Sequence, residues 1–299
     1  MNDIIISPIF YMGNKKKLIK KGLIDLFPKN IGTFIDVFAG SATVSMNVKA
    51  REYVINDIDI NLNRLYNLFR NTTAEDIIRH INKRIDEYKL ARERTKRIEY
   101  HNKEQIEKYK AAYMSLRNYY NETHSVLDFY TLMFYSFSQQ FRFNNKGEFN
   151  MPCGNDCFAP KNEKYIQDGC DFFSQSNLRI EMIDFKGILN PAMFSKADLK
   201  DVFFYCDPPY LNTTAVYNEN NGWNEGDERN LYQRLDDFSA RGGKWALSSV
   251  KANKGKINQA LFSWLNNHVD YNEYSFDGFT YTACGKGNSN AKEVLITNY

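Results

Sequence analysis

The chain has 299 residues, of which 43% are hydrophobic and 25% charged, and its net charge at pH 7 is +3. This composition excludes a disordered chain and supplies a sizeable core, in one large domain or in a core with a second lobe. Because no run of about 18 apolar residues occurs and the amino terminus lacks a signal-peptide pattern, we predict a soluble cytoplasmic protein with no membrane partner.

Two strand and helix pairs form the first predicted elements. The apolar run TFIDVFAG, which begins at Thr33, predicts a strand that ends in a tight turn, and the following SATVSMNVKA predicts a helix. A second short strand ends at Asn56 and Asp57, and another helical segment follows it. Residues 33–70 therefore predict a βαβα unit, which is the start of an open parallel sheet.

Helices without strands are predicted downstream of this unit. Apolar residues at helical spacing run through residues 71–120, and an aromatic-rich helix follows over 128–143. The Gly and Asn residues near 144–156 predict a hairpin or loop. Strand-like runs return at 178–185, 201–207, 243–249, 271–283 and 293–299.

The simplest partition is a discontinuous α/β core, residues 1–60 and 170–299, interrupted by a mostly helical insertion at 61–169. Residues 79–117 of this insertion hold 12 Lys and Arg against 6 Asp and Glu. A second basic run consists of Lys15, Lys16, Lys17, Lys20 and Lys21. One such run is typical of a solvated helix face, but two in a chain with 15% aromatic residues favour a nucleic-acid partner.

Cysteine usage indicates a reducing compartment. The five cysteines are Cys153, Cys157, Cys170, Cys206 and Cys284. Their number is odd and their spacing shows no repeat, so we expect free thiols rather than a disulfide scaffold. No CxxC or HxxxH pair accompanies Cys153 and Cys157, and we therefore predict no metal site.

The turn after the first predicted strand contains five residues of interest, Asp36, Phe38, Gly40, Ser41 and Ala42. Small residues let a cofactor approach the backbone, and open sheets of this kind bind ligands at the carboxyl ends of their strands. The turn lacks the GxGxxG motif, which argues against a nucleotide-dependent oxidoreductase, and it lacks the Gly-Lys-Ser/Thr of a phosphate loop. Asp57 ends the next strand, where it could bind both hydroxyls of a ribose or cap the following helix.

The sharpest motif is Asp207-Pro208-Pro209-Tyr210, directly after the apolar run VFFYC. Two prolines stiffen the loop and remove two N–H donors, so its carbonyl oxygens lack local partners. An amine with two hydrogens could donate one to Asp207 and one to a proline carbonyl, while Tyr210 offers a flat face for a base. An isolated Asp-Pro-Pro could also be an ordinary strand-end turn.

These motifs resemble those of the Dam-type (D12 class, alpha group) DNA adenine-N6 methyltransferases, most closely the phage members, over nearly the whole chain. The cofactor segments of that family resemble Tyr11-Met12-Gly13-Asn14-Lys15, Asp36 to Ala42, Asn56-Asp57 and Asp184-Phe185. The catalytic tetrad resembles Asp207 to Tyr210. The recognition hairpin resembles Phe141-Arg142-Phe143-Asn144 with Gly147, Phe149, Asn150, Pro152 and Gly154.

The resemblance implies a Rossmann-like S-adenosylmethionine-dependent methyltransferase sheet with a DNA-recognition insertion. It further implies that S-adenosylmethionine is the cofactor, that no metal is required, and that double-stranded DNA is the substrate, with GATC the first site to test. The target adenine must leave the base stack to present its amine. Such an enzyme would act in the cytoplasm of a prokaryote or of a phage-infected host, in a restriction-modification system or outside one.

Roles for individual residues follow from the resemblance. Asp207 would orient the amine and stabilise developing positive charge, so that Asp207→Ala abolishes turnover but keeps cofactor binding. The planar fork of Arg142 matches guanine O6 and N7, although a phosphate contact or a buried salt bridge is the alternative. Two positions depart from the family pattern: Ala42 replaces a second glycine, and Phe10 replaces a lysine that contacts a guanine in some members.

Two rival functions remain open from the sequence. One is methylation of a different amine, such as cytosine N4, a glutamine side chain or an RNA adenine. The other is a catalytically silent DNA-binding protein that keeps the fold, which the complete Asp207 to Tyr210 tetrad argues against. A loop around residues 217–227, with Trp223, could close over the flipped base or be a mobile surface segment.

Overall fold

The computed structural model describes residues 4–94, 103–211, 222–253, 255–279 and 291–299. The chain divides into two compact units. The first comprises residues 1–4, 15–60 and 177–299, and the second comprises residues 5–14 and 61–176. Residues 5–14 and 170–176, which the sequence assigned to the core, thus lie in the second unit; the functional roles of the two domains stay a prediction.

A mixed sheet forms the first unit. Its strands are β1 (Ile31–Asp36), β2 (Ala50–Asn56), β3 (Leu178–Glu181), β4 (Val202–Cys206), β5 (Lys244–Asn253), β6 (Lys256–Ile257), β7 (Asn272–Phe279) and β8 (Ala291–Thr297). Their order is β3-β2-β1-β4-β5-β8-β7, with β6 paired to β5. The strands β1 to β5 run parallel to one another, whereas β6 is antiparallel to β5, and β8 is antiparallel to both β5 and β7. The amino end of β8 therefore lies at the edge where the parallel strands end.

The central strands are apolar because both faces of the sheet are covered. Every residue of β4 is buried, and Trp245 and Leu247 of β5 are also buried. The helices of this unit are α1 (Lys16–Lys20), α7 (Phe185–Ile188), α8 (Lys196–Leu199), α9 (Glu225–Ala240) and α10 (Gln259–Leu265). The rings of Phe204 in β4 and Phe238 in α9 lie 4.5 Å apart, which places one half of the core between the sheet and α9.

Two sequence predictions about this unit were wrong in detail. The segment SATVSMNVKA forms no α-helix but only a 3₁₀ turn at Ser45–Asn47 before β2 begins at Ala50. Its branched residues Thr43 and Val44 disfavour a helix, and the segment is too short for one between the turn and β2. The strand predicted over 178–185 ends at Glu181, since Asp184 caps α7 by accepting a hydrogen bond from the Lys186 amide.

Helices dominate the second unit, as predicted, but the helix predicted over 128–143 ends at Tyr135, because Ser136 is extended and pairs with Cys153, and Phe143 pairs with Phe149. The helices are α2 (Ile60–Asn71), α3 (Ala74–Tyr88), α4 (Lys103–Thr123), α5 (Val126–Tyr135) and α6 (Pro160–Phe173). Thr73 caps α3, whose Ile77, Ile81 and Ile85 are buried at helical spacing. All eight residues from Asp128 to Tyr135 of α5 are buried, which makes this helix the centre of the unit. Within the described ranges, no helix is both long and apolar enough to span a membrane.

Candidate functional site

Three acidic side chains meet the same edge of the sheet. Asp36 is the last residue of β1, Asp57 follows β2, and Asp207 follows β4. These strands are parallel neighbours, so their carboxyl ends lie side by side. All three acids were predicted site residues, and the charges of Asp57 and Asp207 both act on the carboxyl group of Asp36.

Asp36 is a buried carboxylate, with 1% of its surface exposed. The Ser45 hydroxyl donates to its Oδ2 at 2.5 Å, whereas Oδ1 has no hydrogen-bond partner among the described residues. Burial raises the pKa of this carboxyl to about 7, against the lowering effect of Ser45. A buried carboxylate oxygen without a donor is costly, and it provides an acceptor for a cationic or N–H group of a ligand.

The glycine turn holds Asp57 in place. The Gly40 amide donates to Asp57 Oδ2 at 2.8 Å, and the Asp59 amide donates to Oδ1 at 2.9 Å. Burial raises the pKa of the Asp57 carboxyl to about 6. The bond to Asp59 is a turn-forming contact ahead of α2, so Asp57 shapes the entry to this helix while its carboxylate has a fixed orientation beside the turn.

Ala42 takes up the backbone conformation that a glycine would adopt more easily. Its φ is +56°, in the left-handed region, and its amide donates to the Ala39 carbonyl. This conformation explains why a second glycine is common at this position in the family that the sequence resembles. The neighbouring Ser41 hydroxyl is paired with that of Thr43 at 2.7 Å.

The Asn56 side chain links backbone groups at the same edge of the sheet. Its Nδ2 donates to the carbonyls of Val37 at 2.9 Å and Ile183 at 3.0 Å, and its Oδ1 accepts from the Ile183 amide at 2.9 Å. Three backbone groups therefore engage this buried amide, which ties the ends of β1, β2 and β3 together. The geometry favours a bracing role for Asn56 over the direct cofactor contact that the sequence suggested.

An aromatic group lies beyond these strand ends. The ring of Phe185 lies 5.8 Å from that of Phe38 and 5.1 Å from that of Trp223, and the rings of Phe38 and Trp223 lie 5.6 Å apart. Phe185 is buried, while Asp184 beside it is exposed. Trp223 is thus part of an aromatic cluster with two predicted cofactor residues. Residues 217–221 of the predicted loop lie outside the described residues.

The predicted catalytic tetrad, Asp207 to Tyr210, carries an ion pair that the sequence analysis did not anticipate. Lys15 Nζ lies 2.5 Å from Asp207 Oδ2, and the Tyr210 hydroxyl donates to Asp207 Oδ1 at 2.7 Å. Lys15 is only 4% exposed, and its ammonium lies 5.3 Å from the centre of the Tyr210 ring. Burial opposes the charged form of Lys15, but attraction by Asp207 and Glu293 outweighs it and raises the pKa. Pro208 is buried and Pro209 half-buried.

Glu293 completes this group, and the sequence analysis missed it. This residue lies on β8 and is 3% exposed. The Tyr210 hydroxyl lies within hydrogen-bond distance of Glu293 Oε1, at 3.2 Å, and Lys15 Nζ lies 3.7 Å from the same atom. The available signal was one acidic residue at the start of the apolar run VLI.

Tyr11, Met12, Gly13 and Asn14 belong to the second unit, whereas Lys15 belongs to the first. The ring of Tyr11 packs at 5.7 Å against Phe141 of the predicted recognition hairpin. The cofactor roles of these four residues stay predictions. Phe10, at the position where some family members have a lysine, packs edge-on against Phe134 of α5 and contributes to the apolar core of this unit.

Residues 141–154 form the predicted hairpin. Phe143 pairs with Phe149, and the Arg142 side chain donates from Nε to Asn150 Oδ1 at 2.8 Å and from an Nη atom to the Asn150 carbonyl at 3.1 Å. Asn144 closes the tip, because its Oδ1 accepts from the amides of Lys146 and Glu148. Arg142 is exposed on the surface, so its guanidinium is held in one orientation by Asn150 and is not part of a buried salt bridge.

The underside of this hairpin is aromatic. Phe129 of α5 lies 5.4 to 6.1 Å from the rings of Phe141, Phe143 and Phe149. The hairpin base is closed by Gly154, where a Cβ atom would overlap the carbonyl of Ser136, and by Pro152, whose carbonyl accepts from the Phe137 amide at 2.8 Å. The hairpin therefore has a rigid base and an exposed polar tip.

The strand-end group fits S-adenosylmethionine chemically. This cofactor carries an ammonium, a sulfonium and a ribose, and the site offers three aspartates, including the partnerless Oδ1 of Asp36. Among the described residues, no group of three or more His, Cys, Asp or Glu is arranged to hold a metal ion. The described cysteines, Cys153, Cys157, Cys170 and Cys206, are free thiols.

Comparisons with known proteins agree with the motifs. The chain is 36% identical over 305 residues to the type II methyltransferase M.FokI of Planomicrobium okeanokoites, a match that covers 100% of this chain and 43% of that protein. It is 33% identical over 314 residues to the modification methylase StsI of Streptococcus sanguinis, covering 99% of this chain and 43% of that protein. The retron Ec67 DNA adenine methylase of Escherichia coli is 26% identical over 214 residues, covering 70% of this chain and 65% of that protein.

The chain spans less than half the length of the first two relatives. The expected likeness to phage members stays a prediction. The family described as D12 class N6 adenine-specific DNA methyltransferase matches residues 11–272, which include the glycine turn, the predicted recognition hairpin and Asp207 to Tyr210. The chain therefore belongs to the D12 class of N6 adenine-specific DNA methyltransferases.

Proposed function

We propose that this protein transfers a methyl group from S-adenosylmethionine to the N6 amine of an adenine flipped out of duplex DNA. The observation that carries this proposal is the position of Asp207: it follows β4, at the sheet edge where Asp36 and Asp57 follow the two neighbouring parallel strands. Family membership and the composition of this edge both support the proposal.

The cofactor would bind across the strand ends. Asp57, held by the Gly40 amide, accepts hydrogen bonds from the ribose, and Asp36 Oδ1 accepts one from the ammonium of the methionine moiety. The aromatic cluster of Phe38, Phe185 and Trp223 provides an apolar surface for the adenine. S-adenosylmethionine supplies the electrophilic methyl group when it is bound.

The tetrad acts on the target amine. The lone pair of an adenine amine is delocalised into the ring, so hydrogen bonds from its N–H groups to Asp207 and to a carbonyl of the Pro208-Pro209 unit make it a better nucleophile. Asp207 orients the amine and stabilises the positive charge that develops on it, without forming a covalent bond. The sulfur–methyl bond would break as the bond from N6 to the methyl carbon forms, with S-adenosylhomocysteine as the leaving group, and one N6 proton would be released to solvent. Tyr210 would stack on the flipped base.

Double-stranded DNA is the proposed partner, and the hairpin is the proposed reader of its sequence. Arg142 presents a planar donor fork that Asn150 holds in place, which suits a guanine edge in the major groove. The roles of Asn144 and Pro152 are to shape the hairpin tip and base around this fork. The GATC target rests on the resemblance alone and is the first sequence to test. Two relatives carry the names of restriction-linked modification enzymes, and a role in a restriction-modification system is part of the proposal.

The test is transfer of tritiated methyl from S-adenosylmethionine to four substrates: a GATC duplex, a GATC-free duplex, a pool of duplexes with randomised sequence, and RNA. We expect N6-methyladenine in duplex DNA, and sequencing of the methylated pool gives the site. Label in the pool but not in the GATC duplex keeps the reaction and overturns the GATC site. Label in RNA alone or on cytosine overturns the substrate, and cofactor binding without label favours a silent DNA-binding protein.

A further inference from the structure

Both carboxylate oxygens of Asp207 already face a donor before any substrate binds. Lys15 lies at Oδ2 and the Tyr210 hydroxyl at Oδ1, at 2.5 and 2.7 Å. An adenine amine that docks on Asp207 must therefore use the remaining lone pairs of these oxygens or displace one of these two donors. An ammonium or a hydroxyl that loses its acceptor in a buried place is strongly disfavoured. Displacement is easy only if another acceptor is within reach.

Glu293 is such an acceptor. It lies 3.2 Å from the Tyr210 hydroxyl and 3.7 Å from Lys15 Nζ, so it is the more distant carboxylate for both donors. A hydroxyl has a single hydrogen and can donate to only one of its two carboxylate neighbours at a time. The Tyr210 hydroxyl lies between the two acids, which makes a switch from Asp207 to Glu293 a small movement.

Glu293 places a charged group beside apolar core residues of β8. The next three residues of β8, Val294, Leu295 and Ile296, are buried in the apolar core. A charged side chain at a buried strand position is costly unless it is paired, and an apolar residue would pack there at lower cost. Together, Asp207, Glu293 and Lys15 carry one excess negative charge, which suits a site that receives a sulfonium.

On the basis of the proposed function, we propose that Glu293 is a positioning residue that accepts Lys15 and the Tyr210 hydroxyl when Asp207 turns to the target amine. Glu293 itself does not touch the amine. It gives the two displaced donors a partner and thereby lets Asp207 accept a hydrogen bond from the substrate. Its removal should slow methyl transfer more than it weakens cofactor binding.

The variant Glu293→Gln tests this role because it keeps the shape of the side chain and removes its charge. We expect kcat to fall by about 10- to 100-fold, the range for loss of a hydrogen bond to a charged group, with little change in the dissociation constant of S-adenosylmethionine. Asp236→Asn is the matched control, since this acid of α9 binds Trp264 and Tyr271 and lies outside the Asp207 cluster. It should keep the wild-type kcat.

A pH profile separates positioning from a general loss of stability. Burial opposes the charged form of Lys15, and Asp207 and Glu293 together raise the pKa above its usual value, with Asp36 also nearby. Removal of the Glu293 charge lowers this pKa, so the alkaline fall of kcat should begin at a lower pH in Glu293→Gln. A purely structural effect would lower kcat at all pH values without moving this limb.

A second variant, Tyr210→Phe, keeps the ring and removes the hydroxyl shared by the two acids. We expect a lower kcat, and a smaller effect of Glu293→Gln in the Tyr210→Phe background than in the wild type. If Glu293→Gln does not fold, Tyr210→Phe still tests the proposal. Full activity without this hydroxyl would contradict its proposed switch from Asp207 to Glu293. Wild-type kcat and an unmoved alkaline limb in Glu293→Gln would also overturn it. Absence of transfer by the wild-type protein would instead overturn the proposed function.

Discussion

Charged side chains are buried at the strand-end site of the first unit, whereas the charged side chain of the hairpin in the second unit is exposed. At the strand ends, Asp36, Lys15 and Glu293 are buried and paired through specific atoms at 2.5 to 3.7 Å. In the hairpin, Arg142 is exposed and held by one neighbour, Asn150. Buried charges interact strongly, so removal of a single charged partner should have a large effect, whereas exposed charges are screened by solvent.

This contrast matches the two tasks of the proposed function, methyl transfer and recognition of a DNA sequence. Methyl transfer needs groups fixed within tenths of an ångström, and burial provides that precision. Base recognition needs exposed groups, which burial cannot hold in place. The aromatic residues beneath the hairpin provide its rigidity instead. Substitutions at the strand ends should therefore change kcat, and substitutions in the hairpin should change the choice of DNA.

The largest effect should come from Asp207. The Asp207→Ala variant would remove one acidic partner of the buried Lys15 and so lose stability as well as activity. Asp207→Asn keeps the shape and should lower kcat by about 100- to 1000-fold, the range for removing one preorganised charge-stabilising group. Steady-state methyl transfer measures kcat, and calorimetric titration measures whether the variant still binds S-adenosylmethionine. Near wild-type kcat in this variant would refute the role of Asp207.

Arg142 should give the next largest effect. Arg142→Ala should lower discrimination at one base pair by about 10- to 100-fold, because a bidentate contact to guanine contributes about 1–3 kcal/mol. Methylation of a duplex pool with randomised sequence measures this change. Lys146→Ala on the same hairpin is the matched control, and it should weaken activity on all duplexes equally. A uniform loss in Arg142→Ala would instead indicate a phosphate contact.

Cofactor affinity should depend on pH through Asp36. Its carboxyl pKa is about 7 in the folded protein against an ordinary 3.8, so its contribution to stability falls as the pH rises through this window. The deprotonated form is the one that binds an ammonium, and affinity for S-adenosylmethionine should rise by up to about tenfold per pH unit up to about pH 7. In Asp36→Asn, the affinity for S-adenosylmethionine should rise less steeply with pH, and the smaller rise that remains should come from Asp57. Calorimetric titrations across this pH range provide the measurement.

The smallest effect is expected at Ala42. Ala42→Gly removes the strain of a left-handed φ, which costs about 1–2 kcal/mol, but it also removes a buried methyl group and adds freedom to the unfolded chain. These terms nearly cancel, so the free energy of unfolding should change by less than about 1 kcal/mol. Urea unfolding measures this difference. A larger loss would mean that the methyl group packs against the turn more tightly than its conformation suggests.

Local patterns in the sequence predicted most of the fold. The apolar runs that became β1, β2, β4, β5, β7 and β8 were recognised, as were α2, α3, α4 and most of α5. The helix α6 was not predicted, and the helix predicted over 128–143 ends at Tyr135. The helix expected after the glycine turn was wrong, because the branched Thr43 and Val44 disfavour a helix and only a 3₁₀ turn at Ser45–Asn47 follows them. Composition indicated burial there but could not distinguish a turn from a helix.

The site was predictable only where its residues belong to contiguous motifs. Asp36, Asp57 and Asp207 each follow an apolar run, and parallel strands bring such positions together. Lys15 was assigned to the cofactor, and its ion pair with Asp207 depends on tertiary packing. Glu293 lies on a strand that is antiparallel to its neighbours, and a strand order cannot be read from local composition.

The position of β8 also has a consequence for how the enzyme matures. Glu293 and Tyr210 are 83 positions apart in the chain, and they meet only when β8 has inserted between β5 and β7. Contacts between such distant segments form late, since the intervening loop must close first. On the ribosome, the parallel strands β1 to β5 can assemble while Lys15 and Asp207 still lack their third partner. The Asp207, Lys15 and Glu293 group should therefore be complete only after β8 has paired with β5 and β7.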